Sequence, residues 1–302
     1  MKRRRARARA LALVSLLVVA GAVLINVTPF NHLSPFIPGE SFATEPASEE
    51  MAANAAQADG AAFSVPVGLD AVTDTRLLEL VNGDYAINGE PDAARIVAAS
   101  PVVATESTGV RLQETALNAI SELFDAARAA GAGSFYVSSG YRGAAEQQRL
   151  YDEAPDKSYV QTPGHSEHQT GLAVDIGSAA PAPGSSGTPD SERWLAENAW
   201  RFGLILRYPE DKTAITQIAY EPWHFRYVGQ PHARYIQEHG LCLEEYIQFL
   251  KDSGGYSMTA DGVNYIVKYE QPENDTIWIP EGGNFDVSGD NTGGYIVTVR
   301  EQ

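Results

Sequence analysis

Two imidazoles and two carboxylates, placed in two short stretches, are the side chains of this sequence best suited to chemistry. In the first stretch His168 is followed by Asp175, and in the second Glu221 precedes His224. Catalytic zinc commonly takes three protein ligands and works with a separate carboxylate that accepts a proton from water. His168, Asp175 and His224 therefore fit the ligands of one Zn²⁺ ion, and Glu221 fits the general base.

The local sequence predicts how these groups are presented. After Gly171, apolar side chains recur at every second position, which predicts a strand with one buried face formed by Leu172, Val174 and Ile176. The opposite face carries only small residues before Asp175, so a partner can approach that carboxylate closely. In the second stretch Pro222 favours a bend, which would let Glu221 and His224 reach the same ion.

Together with a third motif, these stretches resemble the VanY-type D-alanyl-D-alanine carboxypeptidases of the M15 zinc peptidase family. The three motifs are S-G-Y-R at 139–142, S-E-H-Q-T-G-L-A-V-D at 166–175 and E-P-W-H at 221–224, in the order that the family has them. The resemblance covers residues 77–250. It implies an α+β fold in which a small antiparallel sheet, backed by helices, carries the zinc site.

The resemblance also implies a pocket and a reaction. Arg142 would lie in the substrate pocket, where a guanidinium fork can hold an oxyanion or a product carboxylate. Gln147, Ser166 and Trp223 would line the same pocket. The implied reaction removes the C-terminal D-Ala from D-Ala-D-Ala peptidoglycan stem peptides or precursors, outside the membrane. Two alternatives stay open: an L,D-carboxypeptidase that acts on tetrapeptide stems, and a non-catalytic zinc fold that binds wall peptide.

Composition excludes other classes of function. Six of the 22 Lys and Arg residues lie in the first nine positions, so the rest of the chain carries 16 basic against 39 acidic residues. Such an acidic body repels phosphate backbones, and we expect no nucleic acid partner. The S-x-x-K and G-x-S-x-G motifs of serine enzymes and the H-E-x-x-H zinc helix are all absent from the sequence. The single cysteine, Cys242, excludes an internal disulfide.

The composition also changes along the chain. Residues 1–28 combine a basic leader with an apolar run close to the ~20 residues of a membrane-spanning helix. The leader predicts an N-terminus inside the cell, and thus a single-pass bacterial membrane protein with an extracellular catalytic domain. Small residues at 20–22 leave a cleaved, secreted form open. We expect a flexible linker at 29–68, the zinc carboxypeptidase domain at 69–252 and a small β extension at 253–302.

Several elements would position the motifs. Residues 110–130 predict an amphipathic helix that backs the sheet, because their apolar side chains fall on one stripe. A strand at 135–138 leads towards Arg142, and a helix from 144 to about 151 presents Gln147. The last fifty residues hold strand-like runs at 265–269, 276–279 and 295–299, with no catalytic motif among them. The sequence makes no prediction of the oligomeric state.

Overall fold

A four-stranded antiparallel sheet carries two of the three predicted metal ligands. The structure, a computed structural model, describes residues 63–178 and 188–301. Its strands are β1 (Phe63–Gly68), β2 (Ile96–Ala98), β3 (Arg111–Gln113), β4 (Phe135–Ser139), β5 (Ala173–Ser178), β6 (Leu204–Leu206), β7 (His224–Tyr227), β8 (Gly255–Ala260), β9 (Val263–Glu270), β10 (Thr276–Pro280), β11 (Asn284–Gly289) and β12 (Tyr295–Glu301). The central sheet has the order β4-β5-β7-β6, so β5 and β7 lie side by side in its middle.

Six α-helices lie in the described residues. They are α1 (Glu114–Ala129), α2 (Ala144–Glu153), α3 (Thr188–Asn198), α4 (Thr213–Thr216), α5 (His232–Glu238) and α6 (Leu243–Ser253). The apolar stripe of α1 packs in one buried cluster with Val137, Val174 and Phe225 of the sheet. Since side chains alternate along a strand, Asp175 and His224 then point to the other face. The prediction of helices combined with small antiparallel sheets is thus confirmed.

The start of the predicted helix at 110–130 is a strand instead. Leu112 of β3 pairs with Val97 of β2, and the helix begins only at Glu114. The carbonyl of Arg111 accepts a hydrogen bond from the Tyr141 N–H at 2.7 Å. These partners are distant in sequence, so the apolar period of the segment alone could not reveal the strand. Gly140 makes the close approach possible, because a Cβ there would lie 2.4 Å from the Arg111 oxygen.

A second antiparallel sheet, in the order β11-β12-β9-β8, occupies the C-terminal part of the chain. The predicted strand-like runs lie in β9, β10 and β12. Strand β10 pairs with β1, which is formed by the last six residues of the predicted linker. The buried His232 of α5 connects the two parts: its Nδ1 lies 2.6 Å from the Tyr246 hydroxyl and its Nε2 3.0 Å from Oγ1 of Thr298. The domain boundaries stay predictions.

The predicted location in the cell membrane is corrected. It rested on residues 1–28, which lie outside the described residues, as does the linker segment at 29–62. Within 63–178 and 188–301, none of the helices combines the length and the apolar composition that a bilayer crossing requires. This finding contradicts the predicted single-pass membrane location.

Candidate metal centre

Strand register and one tight turn bring three ligand candidates together. Asp175 of β5 and His224 of β7 are directly paired across the sheet, so their side chains leave the same face. His168 lies in a short 3₁₀ helix, Glu167–Thr170, which Gly171 and Leu172 connect to β5. Gly171 closes that helix with φ of 72°, in the left-handed region that glycine adopts most readily. A Cβ at Gly171 would also lie 2.6 Å from Ile96, so a larger residue would displace the turn that carries His168.

The distances between the donor atoms suit one metal ion. Nε2 of His168 lies 3.4 Å from Oδ2 of Asp175, and Nδ1 of His224 lies 3.2 Å from Oδ1 of Asp175. One donor atom from each residue lies within 4.8 Å of the other two. Ligands about 2.0–2.1 Å from a tetrahedral zinc ion are roughly 3.4 Å apart, close to these values. In the described part of the chain, Asp175 Oδ1 is buried without a hydrogen-bond partner. The cluster can therefore hold a single metal ion.

A backbone carbonyl orients the imidazole of His168. Its Nδ1 lies 2.8 Å from the carbonyl oxygen of Gly140. Because a carbonyl only accepts hydrogen bonds, Nδ1 carries the proton and donates it. The lone pair is then on Nε2, the atom that faces Asp175. Hydrogen bonds of this kind behind a metal-binding histidine fix both its tautomer and its orientation.

Burial and neighbouring charges shift the pKa values of all three ligand candidates. Burial and the nearby guanidinium of Arg142 lower the pKa of His168. Burial alone would raise the pKa of Asp175, but the imidazoles of His168 and His224 outweigh it and hold that pKa well below its usual range. Burial alone would lower the pKa of His224, but the carboxylates of Asp175, Glu167 and Glu221 raise it to about 9. The three carboxylates thus favour a positive charge at His224.

Glu221 reaches the cluster from the turn before β7. Its N–H donates to the Tyr208 carbonyl at 3.2 Å, and its own carbonyl accepts from the His224 N–H at 3.1 Å. These bonds turn the Glu221 side chain to the same side as His224, with Oε2 3.4 Å from Nδ1 of that imidazole. Burial raises the pKa of Glu221 to about 7, and the Asp175 carboxylate acts in the same direction. A carboxylate with that pKa can take up and release a proton near neutral pH.

A pocket of about 360 Å³ contains the cluster, and several predicted residues line it, namely Arg142, Ser166, Glu221 and Trp223. The Arg142 backbone N–H donates to the His168 carbonyl at 3.2 Å. Its guanidinium donates to Ser139 Oγ at 3.2 Å and to Ser166 Oγ at 3.5 Å, while its buried Nε has no partner among the described residues. The guanidinium therefore has spare donor capacity beside the metal ligands. Trp223 is 41% exposed at the rim.

Gln147 is the one predicted site residue that does not line this pocket. Its side chain is completely buried on α2, and its amide donates to the Gln161 carbonyl at 2.7 Å. Gln161 belongs to the loop that also contributes Tyr159 and Val160 to the pocket lining. Gln147 therefore contacts the back of the pocket wall and supports the loop that forms it.

Sequence reasoning missed a buried ionic network next to the metal ligands. Oε1 of Glu167 accepts hydrogen bonds from Arg207 at 2.8 Å and from Arg226 at 2.9 Å. Arg207 in turn donates two hydrogen bonds to Glu244, at 2.8 and 2.6 Å. Burial alone would raise the pKa of Glu167, but the two guanidinium groups hold it well below its usual range. The available signal was a pair of arginines next to apolar strand residues, at 207 and 226.

Tyr208 was also missed. It lines the pocket, its ring lies 4.8 Å from that of His224, and it is almost completely buried. Burial raises the pKa of its hydroxyl well above the usual value, so the phenol keeps its proton and can donate a hydrogen bond into the pocket. Its position after Leu204–Leu206 and Arg207 resembled the end of an ordinary strand, which carries no catalytic signal.

Known proteins are similar in sequence to the part of the chain that forms this site. The model of the VanY family, described as D-alanyl-D-alanine carboxypeptidase, matches residues 109–230. A D-alanyl-D-alanine carboxypeptidase of Enterococcus faecium is 43% identical over 180 residues, which are 59% of this chain and 58% of that protein. The putative carboxypeptidase YodJ of Bacillus subtilis is 36% identical over 197 residues, 61% of this chain and 72% of that protein. The chain thus spans less than two thirds of the Enterococcus relative and more than two thirds of YodJ.

A solved structure is similar over a longer part of the chain. It is the vancomycin resistance D,D-dipeptidase VanXYg in complex with a D-Ala-D-Ala phosphinate analogue. The two proteins are 29% identical, with a TM-score of 0.64. The match covers 78% of this chain and 98% of the other.

Proposed function

Because the chain belongs to the VanY family of D-alanyl-D-alanine carboxypeptidases, we propose that it is a zinc-dependent D-alanyl-D-alanine carboxypeptidase. Its substrates are peptidoglycan stem peptides or their precursors that end in D-Ala-D-Ala. The reaction adds one water across the last peptide bond. The C–N bond breaks, and the products are a shortened peptide carboxylate and free D-alanine.

The observation that carries this proposal is the joint position of a ligand set and a base in one pocket. His168, Asp175 and His224 converge at distances that suit zinc. Glu221 lies 3.4 Å from one of these ligands and is not needed to complete the set. A fold that only bound wall peptide would not require a carboxylate with its pKa raised to about 7 beside the metal ligands.

Each residue has a defined task in this reaction. His168, Asp175 and His224 hold the ion, which when bound supplies Lewis-acid chemistry that acidifies water and polarises a carbonyl. Glu221 accepts the proton that water loses as its oxygen attacks the peptide carbon. The same carboxyl then returns that proton to the nitrogen of the departing D-alanine.

Arg142 and the pocket walls would hold the substrate. The Arg142 guanidinium has a buried Nε without a partner among the described residues and two weakly engaged terminal nitrogens. It can therefore bind the C-terminal carboxylate or the developing oxyanion. Apolar walls suit the methyl groups of two alanines, and they are formed by Leu150, Ala154, Val160 and Ile218. Ser166 and Trp223 complete the proposed contacts, and Gln147 supports the loop behind them.

Product analysis tests the proposal directly. The full chain is incubated with a pentapeptide stem ending in D-Ala-D-Ala and, separately, with the tetrapeptide stem, and the products are weighed by mass spectrometry. We expect the pentapeptide, but not the tetrapeptide, to lose one alanine. Chelation should stop this reaction, and added Zn²⁺ should restore it. Cleavage of the tetrapeptide alone would replace the proposal with an L,D-carboxypeptidase, and no cleavage by a zinc-loaded protein would replace it with a binding module.

A further inference from the structure

Two buried polar atoms beside the metal centre face each other without a hydrogen bond. Oε2 of Glu167 and Nε2 of His224 are 3.6 Å apart. Each is buried, and each has no hydrogen-bond partner among the described residues. A buried donor or acceptor without a partner is costly, so such groups are rare unless a small movement pairs them. Here the carboxylate oxygen accepts and the imidazole nitrogen can donate, so the two atoms complement each other.

The network holds Glu167 in this position through its other oxygen. Oε1 accepts from both Arg207 and Arg226, which are completely buried. Arg226 is itself fixed by donating to the carbonyls of Leu77 and Glu79, each at 3.0 Å. With one oxygen held by two guanidinium groups, the carboxylate cannot rotate freely. Its Oε2 therefore stays directed at His224.

The nature of the ligand atom gives this contact its importance. Nδ1 is the atom of His224 that faces Asp175, at 3.2 Å, so Nδ1 must carry the lone pair when a metal is bound. The single ring proton must then be on Nε2. An acceptor behind Nε2 favours that tautomer, as the Gly140 carbonyl behind Nδ1 favours the opposite tautomer in His168. Each imidazole thus has its own acceptor behind it.

We propose that Glu167 is a positioning residue of the metal centre: its Oε2 accepts the Nε2–H of His224 and fixes the tautomer whose Nδ1 faces the metal ligands. This inference rests on the proposed zinc site. It also gives a reason for burying the Glu167 carboxylate, although its position close to Asp175 and Glu221 is energetically costly. Arg207 and Arg226 supply the positive charge that makes a buried Glu167 anion tolerable.

Zinc affinity of two matched variants separates positioning from support of the fold. Glu167→Gln keeps an oxygen for the two arginines, which can only donate, and so turns its NH₂ group towards the Nε2–H of His224. Glu244→Gln alters the same network through Arg207 without facing His224. Dissociation constants would be measured by competition with a chromophoric chelator. We expect Glu167→Gln to bind zinc roughly 10- to 100-fold more weakly, and Glu244→Gln to stay close to the parent protein.

Equal weakening in both variants would reduce Glu167 to a structural partner of the arginines, and undiminished affinity in Glu167→Gln would overturn the proposal. Failure of the parent protein itself to bind zinc would instead remove the proposed function. A measurement without any variant covers the case in which Glu167→Gln does not fold. Nitrogen-15 NMR of the zinc-loaded parent protein should show His224 protonated at Nε2 and bound through Nδ1. The opposite tautomer would refute the role of Glu167.

Discussion

Asp175 and His224 stand directly opposite each other on β5 and β7, with Oδ1 and Nδ1 3.2 Å apart. Their position follows from strand register, since opposite residues of antiparallel strands project from the same face of the sheet. A shift of one residue would turn Asp175 into the cluster of Val174 and Phe225 that packs on α1. The apolar side of the sheet thus secures the register on which the candidate metal centre depends.

Replacing Glu221 should separate catalysis from metal binding. Glu221→Gln keeps the size of the side chain but cannot accept the proton of water. We expect kcat to fall by about 10²- to 10⁴-fold, with one zinc ion per chain retained. Steady-state kinetics with the pentapeptide and metal analysis of the same sample would measure both quantities.

The control is Glu122→Gln, which changes an exposed carboxylate on α1. It should leave both kcat and zinc content unchanged. Activity of Glu221→Gln close to that of the parent protein would exclude Glu221 as the base.

Arg142→Lys tests the guanidinium fork. Lysine keeps the positive charge but has no planar pair of donors, so it cannot bind a carboxylate or an oxyanion in the same way. We expect kcat/KM to fall roughly 10- to 100-fold, while zinc affinity stays the same. Arg128→Lys, on the exposed surface of α1, is the matched control. A parallel loss of zinc in Arg142→Lys would show that Arg142 supports the metal centre and not the substrate.

The activity should depend on pH through Glu221. A general base works only when deprotonated, so kcat/KM should fall as the pH drops through the pKa of its carboxyl. Burial raises that pKa from 4.5 to about 7 without a metal, and a bound cation will lower it again. We therefore expect an acid limb with a midpoint between 4.5 and about 7, measured from pH profiles with the pentapeptide. A flat profile across this range would contradict the assignment.

Buried His232 should make the fold sensitive to acid. Its pKa is lowered to about 3 by burial, with a further contribution from Arg300. The unfolded chain therefore binds a proton at this residue, below pH 6.5, more readily than the folded protein does. As the pH falls from 6.5 towards 3, the free energy of unfolding should lose up to about 1.4 kcal/mol per pH unit from this group.

Chemical denaturation at several pH values, on the parent protein and on His232→Gln, would measure that slope. The variant should lose less stability than the parent protein as the pH falls. His239→Gln, at an exposed position just after α5, should keep the full slope. Parallel curves for His232→Gln and the parent protein would exclude His232 as the cause.

The sequence by itself was sufficient to identify the family, the candidate ligands His168, Asp175 and His224, and the candidate base Glu221. These features are written in short motifs whose residue types and spacing have a direct chemical meaning. The mixture of helices and small antiparallel sheets could also be predicted, because the apolar periods of strands and helices are local properties of the chain.

Only the tertiary structure decided which groups stand behind those residues. Leu112 lies in a strand because it pairs with Val97, a residue from another part of the chain. Gln147 supports the pocket wall because its amide donates a hydrogen bond to the Gln161 carbonyl. Glu167 faces His224 because Arg207 and Arg226, from two other strand regions, hold its second oxygen. Contacts of this kind depend on how distant segments pack and on their register, and neither is encoded in the spacing of neighbouring residues.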